Sequence, residues 1–322
     1  MIRFTKGFTF LFVLMLFSCV YNCAWAAAYP TKPIEMIVAN SPGGGSDIFA
    51  RTMVKIITEK KLCPQPIVII NKPGGSSVIG FNYVKQQTGN PYVLGIINGS
   101  FYTIPLLGRS PVSYRDFQHI SMMLQDPVFL MAPKNAPYKN FKELLAYTTT
   151  GGNRVVAGGT STMSDGALSC YTLKYSANMN IDYVPFNSSG DTLTALLGNH
   201  ISLGFINPSE AESQLESGNF IALATATGSR LEGHPNVPTL KEHGIALELC
   251  QNRGIIAPAG IGTQEIAFLE NLFKQVSETK EWQDFLKSHH MVPKYLNASG
   301  FSKASAEISS DYERYLKLVP KQ

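Results

Sequence analysis

The chemistry legible in this sequence is made of hydroxyls, amides and bare backbone N–H groups, with no nucleophile set beside a base. Ser41-Pro42-Gly43-Gly44-Gly45-Ser46-Asp47 is a turn in which Pro42 lacks an amide donor and the glycines admit positive φ. A second such turn runs Gly158-Gly159-Thr160-Ser161-Thr162-Met163-Ser164. Asn98, Ser100 and Asn207 each follow an apolar run. Hydroxyl and side-chain amide groups donate to carboxylate oxygens, and the N–H groups that open a helix attract an anion. The candidate ligand-binding residues are therefore Gly43, Gly44, Gly45, Ser46, Asp47, Asn98, Ser100, Thr160, Ser161, Ser164 and Asn207. Asp47 is ambiguous: capping its helix suffices to explain it, whereas in the site it would repel an acid and accept from an amine or hydroxyl. Arg51 and Lys72 are within reach of the turns, but a solvated surface charge is their ordinary state.

Enzyme signatures are missing. There is no Gly-x-Ser-x-Gly elbow, no Gly-x4-Gly-Lys-Ser/Thr loop and no Gly-x-Gly-x2-Gly in the opening turn. A hydrolase using Ser46, Ser161 or Ser164 needs a base that nothing in the sequence supplies, so this is the weaker alternative. The six histidines, His119, His200, His234, His243, His289 and His290, have no metal-ligand spacing, and adjacent His289 and His290 on a helix face different directions. The expectation is no catalytic residue, no metal and no cofactor.

The elements that must carry these turns alternate strand and helix. The β-branched run at 34–39 reads as a buried strand, and a helix follows with Ser46 or Asp47 as its cap and Ile48, Met53, Ile56 and Ile57 along one face. The same strand–turn design recurs at 67–77, 92–100 and 154–165, where the strand is expected to end at Ala157. Turns at the carboxyl ends of parallel strands are where α/β proteins bind ligands. Further strands are expected near 128–132, 182–186, 201–206, 220–225 and 254–257. Helices are expected near 141–145, 190–198, 208–217, 263–279, 282–289 and 301–318. Asn140 can cap the first of these, and Pro208 suits a first turn. A chain that crosses between lobes near 125–132 and again near 245–255 makes a hinged clamp. The expected organisation is a leader at 1–28, a first lobe from 29–125 and 249–322, and a second lobe from 126–248.

The 322 residues, 44% hydrophobic and 16% charged, can bury a substantial core. Arg3 and Lys6, an apolar stretch at 7–20, and Ala24-Trp25-Ala26 or Ala26-Ala27-Ala28 with small residues at −3 and −1 form a cleavable export signal. Leu16-Phe17-Ser18-Cys19 offers lipid attachment as an alternative. Without the leader the chain holds 25 basic and 23 acidic residues, a net charge of +2 that argues against nucleic acid as a partner. Cys63, Cys170 and Cys250 remain, an odd number that reads best as small buried apolar residues.

Taken in order, PGGGSDIFAR at 42–51, NKPGGSSVIG at 71–80, YRDFQHI at 114–120, VPFNSSG at 184–190, LLGN at 196–199, HPNVPTLKEHG at 234–244 and APAG at 257–260 resemble a known family. The chain resembles the extracytoplasmic solute receptors of tripartite tricarboxylate transporters, also called Bug receptors, over its whole mature length. That resemblance implies an α/β, two-lobe periplasmic-binding-protein (Venus-flytrap) fold with the ligand cleft between the lobes. It implies a periplasmic location, a small organic carboxylate as ligand and a membrane permease as partner. A clamp feeding a sensor kinase is the alternative. A monomer is expected. One ligand carboxylate would sit between turns 42–47 and 158–164, held by backbone amides and hydroxyls. The sequence departs from the family pattern at Ser161, Met163 and Ala167, at Asn252 where tryptophan is usual, and at Phe186-Asn187 where tyrosine and lysine are common. Asn187 thereby joins the candidate site, and with Asn252 it points to a more polar far end of the ligand.

Overall fold

A computed structural model of the protein describes residues 29–108, 110–162 and 164–317. The expected leader, with Cys19 and Cys23, and Met163 of the second turn lie outside the described residues. Two sheets organise the chain. In the first, β1 (Ile34–Val38) lies between β2 (Ile67–Asn71) and β3 (Val93–Ile96), all parallel. Beyond β3 come β10 (Cys250–Pro258), β4 (Phe117–Pro127) and β11 (Val292–Leu296), giving the order β11-β4-β10-β3-β1-β2. The second sheet has the order β7-β6-β8-β5-β9. Its parallel centre is β6 (Val155–Thr160), β7 (Ile181–Phe186) and β8 (Leu203–Ile206), and its antiparallel edge is β5 (Phe129–Pro133) and β9 (Phe220–Thr225).

Helices cover both sheets. In the first lobe α1 (Gly45–Glu59), α2 (Val78–Gln86) and α3 (Ser100–Leu106) follow β1, β2 and β3. In the second, α4 (Phe141–Thr148) follows β5, and α5 (Asp165–Ser176), α6 (Ser189–Leu197) and α7 (Pro208–Glu216) follow β6, β7 and β8. The chain then returns through β10 to α8 (Thr263–Ser277), α9 (Lys280–Ser288) and α10 (Ala298–Leu316) in the first lobe. Phe49, Met53, Leu269, Phe273 and Trp282 fill the space between the first sheet and α1, α8 and α9. Asn140 caps α4 by accepting from the Glu143 N–H, as its sequence suggests.

The strands that cross between lobes are longer than their apolar patterns indicate, and β11 carries no strand signal that the sequence reading recognised. The 254–257 run is the apolar centre of nine-residue β10, whose first half carries Gln251, Asn252 and Arg253. Polar residues in a buried strand hide it from a hydrophobicity pattern. Gly158 and Gly159 belong to β6 rather than to the turn after it, because a Cβ at Gly158 would lie 2.7 Å from the Phe186 ring and one at Gly159 2.7 Å from the Tyr183 hydroxyl. Gly44 takes the N-cap position of α1 with no side-chain cap. Asp47 instead reaches back to accept from the Gly43 N–H at 3.0 Å. Cys63, Cys170 and Cys250 are free thiols.

His119 on β4 is packed edge-on against Phe301, with ring centroids 4.7 Å apart, and its Nε2 has no hydrogen-bond partner. Burial pushes its imidazole down from 6.5 to about 4. The folded protein therefore excludes a proton that the unfolded chain takes up, and stability is lost as pH falls from about 6.5 to about 4. At about 1.4 kcal/mol per unit the loss is roughly 3 kcal/mol. Urea unfolding at pH 7 and pH 4.5 should show His119→Phe losing less stability between the two than wild type; equal losses would remove His119 from the acid response.

Candidate functional site

The carboxyl ends of β1, β2, β3, β6 and β7 all open on one cleft, of about 500 Å³, between the two lobes. Asn40 and Ser41, the 73–77 turn, Asn98 and Ser100 line it from the first lobe. Thr160, Ser161, Thr162, Ser164, Phe186 and Asn187 line it from the second, and Gln251 lies at the crossing strand. Among the described residues no charged side chain lines this cleft. A larger recess of about 920 Å³ lies between α10 and the 241–249 segment, lined by charged residues such as Lys241, Glu248 and Arg314. It is bordered by antiparallel strands and not by the carboxyl ends of parallel ones, and the cleft is the better ligand site on topology.

Backbone strain gathers at this cleft. Ser76, Ser77 and Ser161 have φ of 53°, 77° and 60°, the left-handed region that serine rarely occupies. Such residues cost about 1–3 kcal/mol each and persist where the surroundings over-determine them. Asn98 donates to Asn40 Oδ1 at 2.7 Å and to the Ser77 hydroxyl at 2.9 Å, which fixes three first-lobe turns relative to one another. Ser164 caps α5 by accepting from the Ala167 N–H.

Adjoining the cleft is a smaller cavity of about 40 Å³, enough for about two waters. Here the N-termini of α1, α6 and α7 converge, with Gly44, Gly45, Ser46, Thr160, Asn187 and Asn207 on its walls. The α1 N-terminus is already engaged: the Gly45 N–H donates to Glu210 Oε1 across the lobes at 2.5 Å. A Cβ at Gly45 would lie 2.8 Å from that oxygen and closer still to the Arg253 guanidinium, so a side chain here would displace both charged groups. Gly44 has room, its nearest neighbour being the Ser41 carbonyl at 3.6 Å. The stem of Glu210 is half-buried, yet its Oε2 is enclosed and has no hydrogen-bond partner. Burial raises the Glu210 carboxyl above its usual value, against the pull of the Ser189 hydroxyl, Arg253 and the Gly45 N–H.

Beneath this cavity Arg253 is 1% exposed and Asp126 0%. The guanidinium donates to Asp126 Oδ2 through Nε at 2.9 Å and Nη2 at 2.5 Å, and through Nη1 to the Ser46 hydroxyl at 3.0 Å. Burial pushes the Asp126 carboxyl up, and Arg253 pulls it down. Asn207 donates to the Pro127 carbonyl at 2.7 Å, which ties the α7 N-terminus to the crossing strand.

The structure thus places Asn98, Ser100, Thr160, Ser161, Ser164 and Asn187 on the cleft, and Gly44, Gly45, Ser46 and Asn207 on the adjoining cavity, which Thr160 and Asn187 also border. Gly43 and Asp47 line neither. Burial alone would raise the Asp47 carboxyl, but hydrogen bonds from Arg51, the Gly43 N–H and Asn71 hold it below its usual value. Arg51 is occupied by Asp47 at 2.7 Å, and the Lys72 ammonium sits 4.2 Å from the Tyr83 ring centroid. Sequence reasoning missed Glu210, Arg253, Gln251, Ser76 and Ser77. Glu210 had a weak signal, a carboxylate in a first helical turn at a strand end; Arg253 follows Gln251 and Asn252 in a polar stretch and had none.

The description of a tripartite tricarboxylate transporter family receptor fits residues 49–318. A protein of the gbd 5′ region of Cupriavidus necator is 25% identical over 287 residues, covering 88% of this chain and 86% of that one. Among solved structures, Rhodopseudomonas palustris Rpa4515 with adipate superposes with a TM-score of 0.84 at 23% identity, over 90% of this chain and 98% of that one. The periplasmic binding protein BugD superposes at 0.83 and 22% identity, over 91% and 100%.

Removing one partner of the Arg253–Asp126 pair leaves a buried charge uncompensated, at a cost of about 3–5 kcal/mol. Asp126→Asn should lower the urea midpoint accordingly, and Asp126→Leu combined with Arg253→Met should recover most of the loss. A single substitution costing under about 1 kcal/mol would show the pair to be incidental.

Proposed function

The chain belongs to the tripartite tricarboxylate transporter receptor family, whose members are periplasmic solute-binding receptors and not enzymes, and on that premise we propose that it captures a small organic dicarboxylate and delivers it to the membrane permease of a tripartite transporter. The observation that supports this reading most is the interlobe cleft, walled by neutral donors from both lobes and adjoining the N-terminus of α1. The adipate of Rpa4515 is of the same chemical class. A cleft of this kind holds an acid by many modest contacts rather than by one arginine. Micromolar affinity requires about 8 kcal/mol, and charge-assisted hydrogen bonds contribute about 1.5–3 kcal/mol each. Four or five donors drawn from Ser76, Ser77, Ser100, Thr160, Thr162, Ser164 and Asn187 therefore suffice. Because they come from both lobes, the ligand favours the closed clamp, and that difference between states is what a permease can read.

Glu210 sets the polarity of the bound solute. Its carboxylate takes the α1 N–H that a ligand acid would otherwise use, and its second oxygen, beside the Ser189 hydroxyl, accepts from a hydroxyl or amine. The solute thus lies with its acid toward the cleft hydroxyls and any donor toward Glu210. The acting form is a monomer exported by a cleaved leader.

Titration calorimetry of the mature protein with succinate, malate, adipate and citrate tests the reading. At least one should bind with micromolar affinity, and Gly44→Leu, which the fold accommodates, should weaken it tenfold or more. Binding of sugars or nucleotides but no acid would overturn the ligand class. Uptake of the bound acid by cells carrying the receptor with its permease reads the partner. Glu210→Gln removes one negative charge while keeping an acceptor for Gly45. It should tighten dicarboxylates severalfold and weaken acids that carry an amino group; no change in either would take Glu210 out of selection.

A further inference from the structure

We propose that Glu212, His234 and His290 bind a divalent transition-metal ion, zinc by geometry, and that this ion ties the two lobes together. Among the described residues this is the one group of three or more such side chains whose ligand atoms all fall within 4.8 Å of one another. The three come from distant segments: Glu212 from α7, His234 from the 228–238 loop, and His290 from the turn after α9. Glu212 and His234 belong to the lobe of the five-stranded sheet, His290 to the other. No sequence motif could have announced them.

One of the two contacts is a hydrogen bond and the other is not, and a shared cation accounts for both. His290 Nε2 lies 3.0 Å from Glu212 Oε1, and His234 Nε2 lies 3.6 Å from Glu212 Oε2. The second separation is too long for a hydrogen bond, and both atoms of that pair are buried without a partner. Ligands bound at about 2.0–2.1 Å to tetrahedral zinc stand about 3.3–3.4 Å apart, and each histidine nitrogen stands within a few tenths of an ångström of that spacing from its own oxygen of the Glu212 carboxylate. The imidazole centroids are 4.2 Å apart, and each ring turns its Nε2 toward the Glu212 carboxylate. Two histidines and a carboxylate are a donor set that zinc favours, leaving a fourth position for water. The side chains are 17–25% exposed, which gives that water access.

The second shell is rigid. His234 packs edge-on against Phe129 at 5.0 Å. His290 holds a left-handed backbone, φ 52°, and its ring abuts Gly233 so closely that no other residue fits there. Glu212 lies two residues from Glu210 on the same helix, so an ion here would fix the α7 that also reaches the α1 N-terminus.

Zinc titration of tag-free, chelator-treated mature protein at pH 7.5 tests this, with competition by a chelator of known affinity. One zinc per chain should bind at micromolar or lower Kd. His234→Ala and His290→Asn, the latter tolerant of positive φ, should each weaken it thirtyfold or more. Zinc should also make scattering profiles more compact in wild type but not in either variant. Cobalt(II) titration of wild type reads the coordination without a variant: intense visible bands of a four-coordinate site are expected. Unsaturable zinc binding, unchanged affinity in both variants, or the pale spectrum of six-coordinate cobalt would each overturn the proposal.

Discussion

A buried guanidinium–carboxylate contact at the point where the chain crosses between lobes is the constraint on which the site depends. Arg253 and Asp126 lie on neighbouring strands, β10 and β4, and both are shut away from solvent. Neither would be stable alone in that environment. Paired, they leave one guanidinium nitrogen to hold Ser46, and through it the first turn of α1. The strands that join the lobes and the turn that lines the cavity are thereby a single hydrogen-bonded unit. The pair adds little as raw stability and much as positional definition.

A second tie runs from the far end of the chain. Tyr312 of α10 donates to Asp165, the first residue of α5 in the other lobe. Burial pushes that carboxyl up to about 6. Tyr315 on the same helix donates to the Glu248 carbonyl and accepts from the Glu248 N–H. Closure is thus fastened from α10 at one place and through α7 at another. Both fastenings use side chains whose chemistry a hydrophobic pattern ignores.

The sequence made the βα turns legible because each is announced locally, by a β-branched run that ends in glycine, serine or asparagine. That is why Asn98, Ser100, Thr160 and Ser164 were identifiable and do border the cleft. Residues such as Glu210 and Arg253 acquire meaning only through partners far along the chain, at Gly45 and Asp126. The glycines of β6 were misread for a related reason: they are dictated by Phe186 and Tyr183 across the sheet, not by a bend in their own strand. Local chemistry gave the turns, and long-range packing decided which charged groups stand behind them.

Only Val128 separates β4 from β5, so one lobe's strand passes into the other's with almost no linker. An added residue at that junction would rotate the whole of β5 by one pleat. Phe129 and Met131, enclosed on one face, and Leu130, enclosed on the other, would trade places between two packed clusters. The hinge must therefore open by bending and twisting extended backbone rather than by unwinding a flexible tether. Its length is fixed, and any growth of the molecule has to occur elsewhere on the surface.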